Sequence, residues 1–269
     1  MDQKNNDAEA TLADLIASNK ALANQLDELI HLQRVAMLED GHIMRFLFDD
    51  EEIALSIPLA ERDFIQRNIL KSGSFYEIRL LDLLRQRAGI AANGIIYDVG
   101  ANIGNHTVYF SKVFKPRQIV SIEPQKTAAK LLERNVSLND ITQCTVVSCL
   151  LGRGTGHGAI STFGATNLGG TSFREDAEGA VEMRSLDSIV DEHSDGAVDF
   201  IKIDVEGMHL EVLEGAEKVL SGARPDIWIE LREFKGEYDE ASKVFDAHGY
   251  RQTLKLGAHD FVFSPVKKK

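Results

Sequence analysis

Three short stretches of this chain set carboxylates beside glycines in the way a ligand cleft requires. The first, Ile95-Ile96-Tyr97-Asp98-Val99-Gly100-Ala101-Asn102-Ile103-Gly104, joins a β-branched apolar run to an acidic, glycine-bearing turn. The run suits a strand covered on both faces, and Val108, Phe110, Val113 and Phe114 beyond it suit a packed helix. In open α/β sheets ligands bind at such a turn, because helix amides and strand-end side chains converge there. The second, Ile122-Glu123-Pro124, ends a strand in a carboxylate just before a proline at the first helical turn, a place from which ribose hydroxyls can be held. The third, Asp199-Phe200-Ile201-Lys202-Ile203-Asp204-Val205-Glu206-Gly207, reads as a buried strand carrying a lysine, with two acids at its carboxyl end. Such acids shift one another's pKa and can serve as a base or as the partner of a cation. Each stretch also has a purely structural reading: a turn that packs helix on strand, a Glu that favours a helix dipole, and acids that cap a helix.

The dinucleotide fingerprint G-x-G-x-x-G needs its middle glycine so that backbone can approach a pyrophosphate, and here Asn102 takes that place. An acidic strand end followed by G-x-N-x-G resembles instead the first motif of class I S-adenosylmethionine (SAM) methyltransferases, in which Asp98 would face the cationic methionine end. The three stretches together, in this order and spacing, resemble the FkbM family of SAM-dependent methyltransferases. Phe75-Tyr76-Glu77, Asn167-Leu168-Gly169-Gly170-Thr171-Ser172, Leu186-Asp187, Val212-Leu213-Glu214-Gly215-Ala216, and Pro225 with Glu230 add to the likeness, which runs from about residue 55 to about residue 265.

The resemblance implies an α/β fold: a Rossmann-like class I methyltransferase sheet, mostly parallel with an antiparallel last strand, flanked by helices and preceded by a long N-terminal helix. It implies SAM as cofactor and methyl transfer to a hydroxyl of a sugar or specialised metabolite. Carried over by position, Asp98, Gly100, Asn102 and Gly104 shape the methionine pocket, Glu123 holds ribose, and Cys149 with Leu150 lies beside adenine. Asp204, Glu206 and Glu230 line the reactive cleft. Methyl transfer is an in-line displacement that needs a base facing the methyl group. Glu206 is the first candidate, followed by Asp204, His209 and His157; His209 stands where relatives commonly carry Glu. Three unlinked acids do not define a metal site, and none is expected. Two other readings stay open: a NAD-dependent oxidoreductase, and a non-catalytic SAM-binding scaffold that recruits a partner through its N-terminal helix.

The elements that must position these residues follow from the rest of the chain. At 269 residues, 43% hydrophobic and 27% charged, it can bury one large core. A net charge of -12 repels polyanions and gives no support for a nucleic-acid partner; the basic cluster Lys267-Lys268-Lys269 reads as a solvated tail. Cys144 and Cys149 lack companions at metal spacing, and with no leader or spanning segment in evidence a cytoplasmic location without membrane contact is expected.

Residues 1–40 read as an amphipathic helix. Leu12, Asn19, Leu26 and Gln33 at a, with Leu15, Leu22, Leu29 and Ala36 at d, predict a parallel homodimeric coiled coil. Ile16, Ile30 and Leu32 widen the stripe, so packing onto the chain's own domain is the alternative. Residues 41–93 predict a hairpin with an acidic turn and a helical lead-in, and residues 94–269 the SAM-binding catalytic domain. Within it, the alternation of strands and helices predicts a parallel sheet, Met208 to Leu220 a single helix, and the polar stretch after Gly152, with Gly154, Gly156 and Gly158, a flexible lid.

Overall fold

The computed structural model describes residues 2–90, 92–164 and 166–266, with side chains from residue 14 onward. The terminal lysine cluster and the side chain of Leu12 lie outside the described residues. A run free of glycine and proline forms α1 (Asp2–Ala36). The chain then enters the antiparallel hairpin of β1 (Ile43–Phe48) and β2 (Glu51–Ser56). Asp49 and Asp50 both take positive φ at its tip, the two-residue turn that matches the twist of paired strands. Helix α2 (Phe64–Ser72) starts at Asp63, whose Oδ1 accepts a hydrogen bond from the Gln66 amide at 3.0 Å, and stops at left-handed Gly73. Helix α3 (Ile78–Arg87) leads to the central sheet.

The sheet is built from β3 (Ile95–Val99), α4 (Asn105–Phe114), β4 (Gln118–Ile122), α5 (Lys126–Leu138) and β5 (Cys144–Val147) in its first half. An insertion holds β6 (Leu150–Leu151), β7 (Gly156–Thr162), β8 (Ser172–Glu175) and β9 (Val181–Arg184). The second half comprises α6 (Leu186–Ser194), β10 (Phe200–Ile203), α7 (His209–Glu214), β11 (Asp226–Glu230), α8 (Glu237–Ala247), β12 (Tyr250–Lys255) and β13 (Asp260–Pro265). The strand order is β12-β13-β11-β10-β3-β4-β5. The five strands from β11 to β5 are parallel, and β13 inserts antiparallel beside β11 with β12 outside it. Chain order reverses between β3 and β10, and in an open sheet that reversal opens a crevice above the strand ends.

Alternation along the strands sends side chains into two cores. Ile96, Phe200 and Trp228 pack with Ile53 and Leu55 of the hairpin, Ile69 of α2, Leu81 of α3 and Phe110 of α4. Tyr97, Ile201 and Ile229 pack with Ile189 of α6, Val212 of α7 and Phe245 of α8. The hairpin and α2 to α3 thus share a core with one face of the central sheet. The backbone edge of β2 is satisfied by α5: Asn135 Oδ1 accepts from the Ser56 amide (2.6 Å), while Asn139 Oδ1 accepts from the Ala54 amide (3.0 Å) and its Nδ2 donates to the Ala54 carbonyl (2.7 Å).

Two elements depart from expectation. The stretch read as a flexible lid is a small sheet of order β6-β9-β7-β8. Two of its glycines, Gly156 and Gly158, lie on one face of β7; a Cβ at Gly158 would stand 2.4 Å from Leu150 and 2.9 Å from the Arg174 carbonyl oxygen. The helix expected from Met208 to Leu220 breaks after Glu214. There the Gly215 carbonyl accepts from the Asp187 amide at 2.9 Å, and a wide helical turn follows at Val219–Ala223.

The alternative reading of α1, packing onto the chain's own domain, is what the structure shows. Its last turns dock on the chain's own domain: buried His31 Nε2 lies 2.8 Å from the Ala60 carbonyl, Arg34 donates to the Lys71 carbonyl, and Glu28 and Asp27 pair with Arg67 and Lys71. Leu15, Leu22, Leu26 and Leu29 stay 58% to 65% exposed. Among the described residues no helix is long and apolar enough to cross a membrane.

Candidate functional site

The register of the sheet sets a polar row across one face, just below the strand ends: Ser121 of β4 pairs with Asp98 of β3, Asp98 with Lys202 of β10, and Lys202 with Trp228 of β11. Asp98 is completely buried. Its Oδ2 accepts from the Thr107 hydroxyl of α4 at 2.6 Å, and its Oδ1 stands 3.6 Å from Lys202 Nζ. The Lys202 ammonium also donates to the Gly100 carbonyl and to Asp204 Oδ2, each at 3.2 Å. Burial opposes the charge on Lys202, but Asp204 and Asp98 together hold its pKa above the ordinary value. One lysine therefore ties the cofactor-type turn to the acidic end of β10.

Above this row lies a cavity whose lining comes from every strand end at the switch point. Gly100, Asn102, Glu123, Pro124 and Leu150 form one part of it. Gly100 takes φ 74°, and any Cβ there would overlap the Asp204 carbonyl oxygen, so glycine is demanded twice. Asn102 is held left-handed at φ 51° and donates its amide to Glu123 Oε2 at 2.8 Å. Glu123 Oε1 accepts from the Gln125 amide, also at 2.8 Å. Burial pushes the Glu123 carboxyl up to about 7 against those two amides.

The opposite part of the cavity is acidic and aromatic: Glu77, Asp204, Glu206, Glu230 and Arg232 with Phe64, Tyr76, Phe173 and Met208. Glu206 pairs with Arg232 at 2.7 Å, and Arg232 stands 3.6 Å from Glu230. Asp204 and Glu230 both line this cavity, Asp204 just beyond β10 and Glu230 at the end of the neighbouring β11. Burial and then the Asp204 charge push Glu230 up to about 9. Burial works to raise Asp204 as well, yet the Lys202 charge brings it below its ordinary value. The pair therefore carries one proton near neutrality, held on Glu230. Asp260 lies behind it, pushed up to about 6 by burial and the Glu77 charge, and accepts from Trp228 Nε1 at 3.1 Å.

Seven of the residues expected at the site line this cavity: Gly100, Asn102, Glu123, Leu150, Asp204, Glu206 and Glu230. Five do not. Asp98 faces sideways under the turn, because strand alternation puts it on the Lys202 side and α4 covers it. Gly104 opens α4, where a Cβ would press on Leu132 at 2.6 Å. Cys149 is buried in the opposite core. His209 is buried where α7 meets α8, 3.6 Å from Glu240, on a helix whose start turns it away from the cavity. His157 stands exposed on β7, also outside the lining. Arg232, Phe64 and Phe173 were not legible as site residues. Glu206 and Arg232 are separated by a whole strand–helix passage, and nothing local marks either aromatic. Among the described residues no group of three His, Cys, Asp or Glu is placed to hold a metal ion.

The model of the methyltransferase FkbM domain matches residues 98–252, more than half of the chain. The chain belongs to the FkbM methyltransferase family. Methyltransferase 1 of Beauveria bassiana is 23% identical over 182 residues, which cover 59% of this chain and 72% of that protein. Methyltransferase sdnD of Sordaria araneosa is 29% identical over 166 residues, 49% of this chain and 63% of that one. The crystal structure of the FkbM methyltransferase from Methylobacillus flagellatus KT is 20% identical with a TM-score of 0.49, and the match covers 76% of this chain and 56% of that chain. This chain thus spans little more than half of that solved one.

Membership in a methyltransferase family replaces the nicotinamide reading. The family's methyl donor is SAM, and the residues present fit it. The Gly100 turn brings backbone against the strand end with no side chain between. Each Glu123 oxygen keeps an acceptor lone pair beyond its amide partner, as ribose hydroxyls need. The buried Oδ1 atoms of Asn102 and Asn167 both lack a donor.

Proposed function

We propose that this protein transfers the SAM methyl group to a hydroxyl oxygen of a sugar or another small specialised metabolite. The observation that carries the reading is that the Asp204, Glu206 and Glu230 carboxyls line the same cavity as the cofactor-type turn. Carboxyl groups are rich in hydrogen-bond acceptors, so a cavity wall of Glu77, Asp204 and Glu206 suits a ligand rich in donors, as a polyol is. Phe64 and Tyr76, edge to face at 6.2 Å between centroids, offer an apolar wall to the carbon skeleton.

The bound cofactor supplies an electrophilic methyl group on a sulfonium. The chain's own residues do the rest. Lys202 sets the position of Asp204 against the Gly100 turn, and Arg232 braces Glu206. Asp204, ionised and accessible, orients the acceptor O–H and takes its proton as the oxygen attacks; Glu206 is the second acceptor within the same wall. Methyl-labelled SAM and a panel of hydroxylated glycosides and metabolites test the reading. Label should enter an ether linkage, and Asp204→Asn should reduce kcat at least a hundredfold while leaving S-adenosylhomocysteine affinity within threefold. Label recovered on nitrogen or carbon would remove it.

The exposed leucines of α1 support a second copy as partner. Leu15, Leu22 and Leu29 at d and Leu26 at a make a seam along the face that the domain leaves uncovered, with Asn19 suited to a parallel register.

A further inference from the structure

Asp98 is taken up by Thr107 and Lys202 and does not reach the cavity, so the methionine end of the cofactor has to find its polar partners elsewhere. Two unused acceptors are already there. Asn102 Oδ1 and Asn167 Oδ1 are both buried without a donor, and both residues line the cavity. They come from distant parts of the chain and meet over one glycine: a Cβ on Gly169 would lie 2.7 Å from Asn102 Nδ2 and 3.4 Å from Asn167 Oδ1. The Asn167 amide nitrogen points to the other side, 3.2 Å from where a Gly170 Cβ would stand. The segment that carries Asn167 is anchored. Buried Asp63 Oδ2 accepts from the Leu168 amide at 2.7 Å, the Phe64 amide donates to the Thr166 carbonyl at 2.8 Å, and Leu168 enters the main core. A buried carbonyl oxygen with no donor is unfavourable, so two of them on residues that line one cavity point to a ligand that brings N–H groups.

We propose that Asn167, together with Asn102, accepts hydrogen bonds from the α-ammonium of the cofactor's methionine moiety, so that the insertion contributes a cofactor contact as well as a wall for the acceptor. The inference rests on the SAM reading of the cavity. An ammonium offers three donors, enough for both side-chain oxygens and one further acceptor.

Calorimetric titration tests it with two ligands that share the adenosine and sulfur: S-adenosylhomocysteine, which keeps the ammonium and carboxylate, and 5′-methylthioadenosine, which has neither. Wild type should prefer the first. Asn167→Leu should weaken S-adenosylhomocysteine roughly tenfold to a hundredfold, the range for one charge-assisted hydrogen bond, and change 5′-methylthioadenosine less than twofold. Asn167→Asp, which keeps the acceptor and loses the donor, should retain S-adenosylhomocysteine binding. Equal losses for both ligands would mean that Asn167 only shapes the segment, and no loss for either would mean that it makes no contact; each result overturns the proposal. A loss in Asn167→Asp as large as in Asn167→Leu would assign the residue to the carboxylate and overturn it too. Failure of wild type to bind S-adenosylhomocysteine would instead remove the cofactor reading itself.

Discussion

Replacing Lys202 by Met leaves Asp98 as a buried carboxylate whose Oδ1 has no hydrogen-bond donor and no remaining cation within contact. The methionine side chain fills nearly the same volume, so packing is conserved and the electrostatic loss dominates. Breaking a buried pair by removing one partner costs about 3–5 kcal/mol. Asp98 is completely buried whereas Asp204 is about one-third exposed, so solvent screens the Asp204 side and most of the cost falls on Asp98. For a chain of this length each kcal/mol moves the midpoint by roughly 2–4 °C, which gives a fall of roughly 6–20 °C. Urea denaturation followed by circular dichroism measures it, with the slope unchanged and the midpoint reduced. The double variant Asp98→Asn, Lys202→Met should recover at least half of the loss, because an amide needs no counter-charge. A loss below about 1 kcal/mol, or a double variant whose loss is the sum of the two singles, would refute the claim that the row is held by charge.

Three further outcomes follow from the same geometry. Asp63→Ala removes the α2 cap and the acceptor of the Leu168 amide together, and should cost about 2–4 kcal/mol and abolish hydrogen-exchange protection at Leu168; retained protection there would sever the insertion from α2. Glu230 is raised to about 9 in the folded state, so the folded protein keeps a proton that the unfolded chain releases, and the stability it contributes below the ordinary carboxyl range is lost as pH rises toward 9. Thermal midpoints of Glu230→Gln should accordingly gain on wild type between pH 5 and about 9, and parallel curves would argue against the shared proton. Substituting Leu15, Leu22 and Leu29 with Glu should turn a dimer into a monomer in light scattering without changing the circular dichroism of the domain; a wild-type chain that is already monomeric at roughly 50 μM would dispose of the seam.

What the amino-acid string disclosed was the chemistry that lies along single strands. Asp204 and Glu206 sit within one stretch, Glu123 follows its own strand, and the glycine demand at residue 100 is written into the turn, so strand and helix periodicity alone carried these to the cavity. The orientation of Asp98 was not legible, because strand alternation fixes a face only once neighbouring strands are in register with it. His209 failed for a related reason: a helix that starts one residue later, and breaks at Gly215, turns a side chain from the cleft into the contact with α8. The small sheet of the insertion was hidden by glycines whose spacing is that of a strand but whose type is that of a loop. Arg232 and Phe64 reach the site only through the return of β11 and the docking of α2, long-range events with no local signal.

The division between the sheet and what is laid over it has a practical side for anyone reshaping the acceptor. Asp98 and Lys202 stand on strands whose neighbours constrain them in two directions, whereas Phe64, Tyr76, Phe173 and Met208 come from the lead-in, the insertion and the approach to α7. A combinatorial library confined to these four positions samples the apolar wall of the cavity while the polar row beneath stays intact. In such a library, changes of substrate preference and losses of folding should separate by position, the former tracking the overlay and the latter the sheet.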